Sequence, residues 1–124
     1  MKLFSFRKED KLRHSPEFKR VFKNGKAMRS SGIVMFVYRR SASGPGHEIK
    51  RVRVGIVLSR KVGNAVARNR LKRQLREIFR LNKHFLDQGV DIVFLAREKL
   101  PSFDYGKLKD MVFGLWERAK VINQ

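Results

Sequence analysis

The segment from Asn64 to Leu86 most constrains how this chain can fold, because its apolar and basic residues separate onto different sides of a helix. The apolar residues recur at helical spacing and fall within one arc of about 120°. They are Leu71, Leu75, Ile78, Phe79, Phe85 and Leu86. Since such an arc must be buried against another element, we predict a helix from Asn64 to about Phe85 that packs on a sheet.

The neighbouring arc of this helix is a cationic ridge. It is formed by Lys72, Arg73, Arg76, Arg80 and Lys83, with Arg68 on its border and Arg70 projecting apart. Like charges four residues apart cost roughly a few tenths of a kcal/mol per pair, a penalty that bound phosphates would relieve. Arginine suits this task because its planar fork can bind one phosphate with two hydrogen bonds. A plain solvated face and a membrane-surface helix are the alternatives.

The charge of the whole chain also points to a polyanionic partner. Thirty Lys and Arg residues against eleven Asp and Glu give a net charge of +19 over 124 residues. Residues 84–124 carry six charges of each sign, so the excess lies in the first two-thirds. A nucleic acid would relieve the self-repulsion and release counterions. A generally basic surface and an anionic membrane remain open as alternatives.

The remaining elements are predicted from the periodicity of apolar residues and from the residues that begin or end helices and strands. Ser15 is the predicted N-cap of a first helix with Pro16 at its first position, and Gly25 is its predicted end. We predict strands at Ile33–Arg39, at Val52–Ser59 and at Val90–Ala96, a possible short strand within residues 26–32, and a last helix from Tyr105 to about Val121 capped by Asp104. Ser41–Gly46 is interpreted as the loop of a hairpin that pairs the first two of these strands.

These elements predict an α+β fold, an α/β sandwich with the order α-β-β-(β)-α-β-α and one sheet covered by helices. The length fits a single RNA-binding domain over residues 1–124, with a flexible basic tail at 1–11 and a flexible loop at 40–50. The start of the chain has no apolar signal segment, and no run is long enough to span a membrane. With no cysteines, we expect a cytoplasmic protein with no membrane contact.

One stretch resembles a known family closely. Residues 59–73, Ser-Arg-Lys-Val-Gly-Asn-Ala-Val-Ala-Arg-Asn-Arg-Leu-Lys-Arg, are similar to the signature of the bacterial ribonuclease P protein component. The pairs Glu17-Phe18 and Val21-Phe22 resemble the first helix of that family. Asp91-Ile92-Val93 resembles its last strand. The resemblance spans roughly residues 11–118.

The resemblance implies a function and a set of contacts. The chain would be the non-catalytic protein subunit of ribonuclease P, the endoribonuclease that removes the 5′ leader of precursor tRNA, and the RNA subunit would cut the bond with Mg²⁺ that it holds itself. We expect a monomer in a 1:1 complex with this RNA, and a βαβ crossover that is left-handed, against the general rule.

The resemblance also distributes the roles among residues. The residues expected to bind the catalytic RNA are Arg68, Asn69, Arg70, Lys72, Arg73 and Arg76. Arg60, Lys61 and Asn64 are expected near the junction of substrate and RNA. Phe18, Phe22, Phe36 and Tyr38 are expected to line a cleft for the single-stranded leader, where rings can stack on bases. A place in the hydrophobic core is the alternative for the three phenylalanines. The family often has Tyr where Phe36 stands, and Tyr38 on the same strand face could supply that hydroxyl.

A protein ribonuclease and a ribosomal or other structural RNA-binding protein are the competing hypotheses. A nuclease needs a general acid and a general base beside the phosphate. The three histidines, His14, His47 and His84, show no spacing that suggests a catalytic pair or a metal site. The sequence therefore predicts no catalytic residue and no protein metal ligand.

Overall fold

The computed structural model describes residues 6, 8–40 and 51–122. The elements are α1 (Ser15–Asn24), β1 (Lys26–Ser30), β2 (Ile33–Arg39), β3 (Arg53–Leu58), α2 (Ala65–Asn82), β4 (Val90–Ala96) and α3 (Tyr105–Ala119). Short 3₁₀ helices cover Lys8–Asp10, Arg60–Val62 and Lys83–Phe85. The predicted α+β class and element order are confirmed, including the short strand that follows α1.

The described strands form one sheet in the order β1-β2-β4-β3. β2 lies antiparallel to both β1 and β4, while β3 lies parallel to β4. The predicted hairpin between β2 and β3 is therefore wrong, because β4 lies between these two strands. The predicted loop at 41–46 lies outside the described residues.

β2 pairs with β1 because Ser31 and Gly32 make a tight two-residue turn. Both residues have positive φ values, 49° and 86°, which match the right-handed twist of a hairpin. This turn closes β1 on β2 with almost no loop, whereas β3 follows only after a long connection.

Side chains on the two faces of the sheet belong to two different cores. On one face, alternate residues of β2 and β4 pack under α2 and α3, with Phe79, Phe94 and Trp116 fully buried. On the other face, Val21 of α1 and Leu12 pack on Val93 of β4. We call the second face the α1 face. Leu71, Leu75, Ile78 and Phe79 are buried as the arc of α2 predicts. Phe85 is not, because α2 ends at Asn82 and leaves it 42% exposed.

A buried ion network ties α1 to the sheet. Asp91, which is fully buried, accepts hydrogen bonds from Nε and Nη2 of Arg53, each at 2.9 Å, and a further one from Arg40. Arg53 also donates from Nη1 to Glu17 of α1 at 2.8 Å. Burial by itself would lower the pKa of Arg53. The hydrogen bonds and charges of Asp91 and Glu17 outweigh this effect, so the pKa of Arg53 is raised above its ordinary value.

Glu17 also fixes where α1 begins. Its Oε1 accepts from the backbone N–H groups of Arg13 at 3.0 Å and His14 at 3.1 Å. The N-cap is therefore His14, and the predicted cap at Ser15 is wrong by one residue. Burial raises the pKa of Glu17, but these N–H groups and Arg53 outweigh it, so its pKa lies below its usual range.

The residues just before α1 belong to the fold. Asp10 is buried and accepts from Lys83 at 2.9 Å and Arg51 at 3.2 Å, and Leu12 donates its N–H to Val54 of β3 at 3.0 Å. The flexible tail expected over residues 1–11 stays a prediction, and within it Lys8–Asp10 form a 3₁₀ helix. Residues 1–5 and 7 lie outside the described residues, as do residues 41–50 of the loop predicted at 40–50. The one described position of that loop, Arg40, is buried.

Two expectations about the whole chain stay predictions. One is that residues 1–124 form a single domain. The other is the left-handed sense of the crossover from β3 through α2 to β4. In the described ranges, no helix has both the length and the apolar character that crossing a membrane requires.

We predict that Asp91→Asn destabilises the protein by roughly 3–5 kcal/mol, because it removes the charge of the buried carboxylate that the guanidinium groups of Arg40 and Arg53 share. The matched control is Asp87→Asn, whose ion pair with Arg39 (3.0 Å) lies at the surface and whose loss should cost less than about 1 kcal/mol. Urea unfolding followed by circular dichroism measures both. Equal losses in the two variants would show that the network is not a main support of the fold.

Candidate nucleic-acid interface

The connection from β3 to α2 is a pair of capped turns that presents basic side chains. Ser59 accepts from the N–H of Lys61 at 3.3 Å, and Asn64 accepts from the N–H of Ala67 at 2.8 Å as the N-cap of α2. Arg60 and Lys61 are exposed between these two caps. The caps fix the backbone, so the two cations stand in front of the N-terminal end of α2, where its dipole also favours anions.

Only part of the predicted ridge carries unpaired charge. Arg73 and Arg76 are exposed and Lys72 is half-buried, and no ion pair within the described ranges involves them. Arg80 instead pairs with Glu77 and Lys83 pairs with Asp10. The hydrogen bond from Arg80 is the main reason why the pKa of Glu77 is lowered. The ridge available to an anion therefore consists of Lys72, Arg73 and Arg76.

The three residues Arg68, Asn69 and Arg70 do not share one face. Arg68 donates from Nη1 to the carbonyl of Gly63 at 2.8 Å, so it also braces the turn before α2. Asn69 is exposed on the ridge side. Arg70 lies about 200° from Arg68 at 100° per residue and lines a pocket on the other flank of the helix.

The four predicted cleft aromatics come together on the α1 face. The rings of Phe22 and Phe36 meet edge to face with centroids 4.9 Å apart, and Phe18 lies 6.5 Å from Phe22. The guanidinium carbon of Arg20 lies over the ring of Tyr38, 6.0 Å from the centroid of that ring. Phe22 is 36% exposed, while the other three are half-buried. The cluster therefore joins a core to an open surface.

Gly55 allows α1 to lie this close to the sheet. A β-carbon at this position would stand 2.4 Å from Cε1 of Phe18. The helix crosses β3 near Gly55 and β2 near Phe36, two residues that both align with Val93 of β4. Because α1 crosses the sheet at this level, it leaves the next level uncovered.

The uncovered level is an apolar floor formed by Val34, Leu95 and Val57. These residues stand side by side on β2, β4 and β3 and point to the α1 face. Val57 is 37% exposed and Val34 is half-buried, although Leu95 is largely covered. Sequence reasoning missed this floor because it paired β2 with β3, which puts the wrong residues side by side.

The floor ends at the edge of the sheet where basic residues follow β3 and β4. β3 and β4 are parallel, so their carboxyl ends share this edge, and they lead into Arg60 and Lys61 and into Arg97. Arg97 is exposed and was not predicted as a site residue. Aromatic rings beside an apolar floor suit unpaired bases, while cations at the rim suit phosphates. The surface can therefore hold a single strand of nucleic acid.

The histidines and carboxylates of the described residues are the groups that a protein metal centre would use. No three His, Asp or Glu side chains among them come together in a way that could hold a metal ion. His14 caps α1, and the ring of His84 lies 4.1 Å from that of Phe85. His47 lies outside the described residues.

Comparison with known proteins identifies the family. A family model described as Ribonuclease P matches residues 6–120. The chain is 35% identical to the ribonuclease P protein component of Dictyoglomus thermophilum, over all of this chain and 99% of that protein. It is also 35% identical to that of Clostridium novyi, over 94% of this chain and 99% of that protein.

Solved structures agree with these relatives. The RNase P protein of Staphylococcus aureus superposes with a TM-score of 0.78 at 28% identity, over 92% of this chain and 98% of that one. The RNase P protein of Thermotoga maritima gives 0.72 at 34% identity, over 87% and 96%. The chain belongs to the family of bacterial ribonuclease P protein components, the proteins that work together with ribonuclease P RNA.

Proposed function

We propose that this chain binds two RNA molecules at once in ribonuclease P: the catalytic RNA through α2, and the 5′ leader of precursor tRNA through the cleft on the α1 face. The observation that carries this proposal is the shared edge of the sheet, where the aromatic cleft ends and the cations before α2 begin. A leader lying in the cleft would leave it beside Arg60, Lys61 and Asn64, at the junction with the catalytic RNA.

The ridge supports the part of the proposal that concerns the catalytic RNA. Lys72, Arg73 and Arg76 carry charge that no carboxylate among the described residues neutralises. Arg68 and Asn69 extend this surface toward the N-terminal end of α2. Phosphates placed along the helix would remove the repulsion among these cations and would add charge-assisted hydrogen bonds.

The cleft supports the part that concerns the leader. Phe22 offers an exposed ring beside Phe36, and Val57 and Val34 offer an apolar surface at the level that α1 leaves open. Stacking on such a surface depends little on base identity, because every base has a flat apolar face. The cleft would therefore accept leaders of different sequence.

Cleavage itself is assigned to the RNA subunit. Asp91 and Asp10 each bind two cationic side chains, so these buried carboxylates are occupied. Protein groups in the described ranges do not fit an Mg²⁺ site, and we propose that the RNA phosphates hold this ion. The protein would act in the cytoplasm as a monomer, one per RNA.

Reconstitution tests the proposal as a whole. Mixed with a bacterial ribonuclease P RNA at low magnesium, the protein should increase cleavage of the 5′ leader well above that by RNA alone, because its cations replace part of the ionic screening. The measurement is the rate of leader release, with protein alone as the control. Cleavage by protein alone would favour a protein ribonuclease, and no stimulation would favour a structural RNA-binding role.

We predict that Arg73→Ala weakens binding to the catalytic RNA and lowers the magnitude of the slope of log K against log salt by about 0.7 to 0.9, the value for one phosphate contact. Filter binding over a salt series measures the slope. Lys107→Ala on α3, which also removes one exposed cation, is the control and should leave the slope unchanged. Equal slopes for Arg73→Ala and the parent would show that Arg73 of the ridge does not contact an RNA phosphate.

We predict that Phe22→Ala weakens binding of precursor tRNA by roughly 5-fold or more, because one base loses its stacking partner. The loss should vanish for a substrate without a leader, and affinity for the catalytic RNA should not change. The matched control is Phe85→Ala, which removes a similarly exposed ring on the opposite face of the sheet. A similar loss with and without the leader would show that Phe22 does not touch it.

A further inference from the structure

A second recess flanks α2 on the side away from the ridge. It lies between the N-terminal half of the helix and the connection from β4 to α3. Its apolar walls include the buried Val62 and Leu71 and the half-buried Leu100 and Phe103. Arg70 stands on the helix side of its mouth, and Ser102 stands on the connection side. We call it the α2 pocket.

The α2 pocket has a fixed frame. Leu100 donates its N–H to the carbonyl of Val62 at 3.2 Å, which ties the connection to the turn before α2. Gln74 donates from Nε2 to the carbonyl of Phe103 at 3.1 Å, which ties the other end of the connection to the helix. The pocket is thus held open between two hydrogen bonds and does not depend on a loose loop.

We propose that the α2 pocket binds one unstacked nucleobase of the catalytic RNA. The inference rests on the proposed function, because it assumes that α2 lies against this RNA. A base in the pocket would explain why Arg70 points away from the ridge. Arg70 stands between the ridge and the α2 pocket, where it can hold the phosphate of the nucleotide whose base enters the pocket.

The polar groups of the pocket select for a base. The carbonyl of Phe103 can only accept, so the amide nitrogen of Gln74 must face it, which leaves Oε1 of Gln74 as an acceptor. Ser102 can donate or accept, and Arg70 only donates. A nucleobase edge carries both donors and acceptors and its faces are apolar, which matches these walls. A bare phosphate would meet an acceptor in Gln74 and would gain nothing from Leu71 or Phe103.

The position of the pocket favours the same RNA as its occupant. Arg68 and Asn69 on the ridge side and Arg70 on the pocket side are consecutive residues, so an RNA that contacts the first two passes the mouth of the pocket. The strongly positive charge of this part of the chain disfavours a basic peptide beside it. An unpaired nucleotide in a bulge or loop could turn its base into the recess while its backbone stays on the helix.

The test fills the pocket without changing charge. Ala67→Leu adds bulk from the exposed helix wall and Ser102→Leu adds it from the exposed opposite wall. Gln88→Leu, which introduces the same side chain at an exposed turn outside the pocket, is the control. Each variant is bound at saturating concentration to a bacterial ribonuclease P RNA, and the RNA is probed by base-specific modification and by hydroxyl-radical cleavage of the backbone.

We expect one unpaired base to be protected by the parent and by Gln88→Leu, and to become reactive with either filled variant. The backbone footprint and the salt slope should stay the same, and affinity should fall roughly 5- to 50-fold, as for the loss of one stacked base. Arg73→Ala should also lower affinity, but it should lower the magnitude of the salt slope as well and leave the same base protected at saturation.

Three outcomes contradict the proposal in distinguishable ways. Identical base reactivity and affinity in the parent and both filled variants would show that no RNA base occupies the pocket. The proposed function would remain intact. Loss of the whole footprint in filled variants whose thermal unfolding is unchanged would make the pocket wall a broad contact and not a base site. The absence of any footprint with the parent protein would overturn the proposed function, and the inference with it.

Discussion

The buried pair of Arg53 and Asp91 determines the geometry on which both proposed RNA surfaces depend. The two residues are opposite each other on β3 and β4, so their two hydrogen bonds hold the parallel strands in register. The same guanidinium reaches Glu17 and thereby sets where α1 crosses the sheet. Because α1 crosses there, Val57 stays exposed and Val34 only half-buried on the face that carries Phe22 and Phe36. Breaking a buried ion pair is costly, since the remaining charge has no water to solvate it. The cleft is therefore supported by an ion network that is costly to break.

The distribution of the carboxylates explains how a chain with a charge of +19 folds and still presents a cationic surface. Asp91, Asp10 and Glu17 neutralise cations inside the fold or at its margins, where an unpaired charge would cost most. Few carboxylates remain for the surface between β3 and the end of α2, where Glu77 pairs with Arg80. Asp91, Asp10 and Glu17 thus serve the fold, and Arg73 and Arg76 of α2 are left for an external anion. Self-repulsion among these arginines is then a cost that binding RNA relieves.

The sequence predicts the elements well and their neighbours less well, for a physical reason. Helices and strands follow from local periodicity, so α2, β4 and α3 were found close to their observed bounds. Strand pairing depends on distant contacts: the turn at Ser31 and Gly32 gives β2 a nearer partner than β3, and β4 then enters between β2 and β3. The same limit applies to the site. Arg73 and Phe22 enter the candidate site from local sequence motifs and their roles stay predictions, whereas the floor of Val34, Leu95 and Val57 can be recognised only once the strand order is known. Arg97 was missed because one arginine after a strand carries no local signal.

The order of residues around α2 constrains the RNA that the proposed function requires. Going round the helix, the core arc of Leu71 and Leu75 is followed on one side by the ridge and on the other by the α2 pocket. Arg68 and Arg70 are two residues apart and therefore about 200° apart around the axis. A straight phosphate row or a flat duplex surface could contact only one of them. An RNA that uses both must bend around the first two turns of α2 and leave at least one nucleotide free to follow the curve. Under the proposed function, folded RNA with unpaired nucleotides meets this requirement and a regular double helix does not.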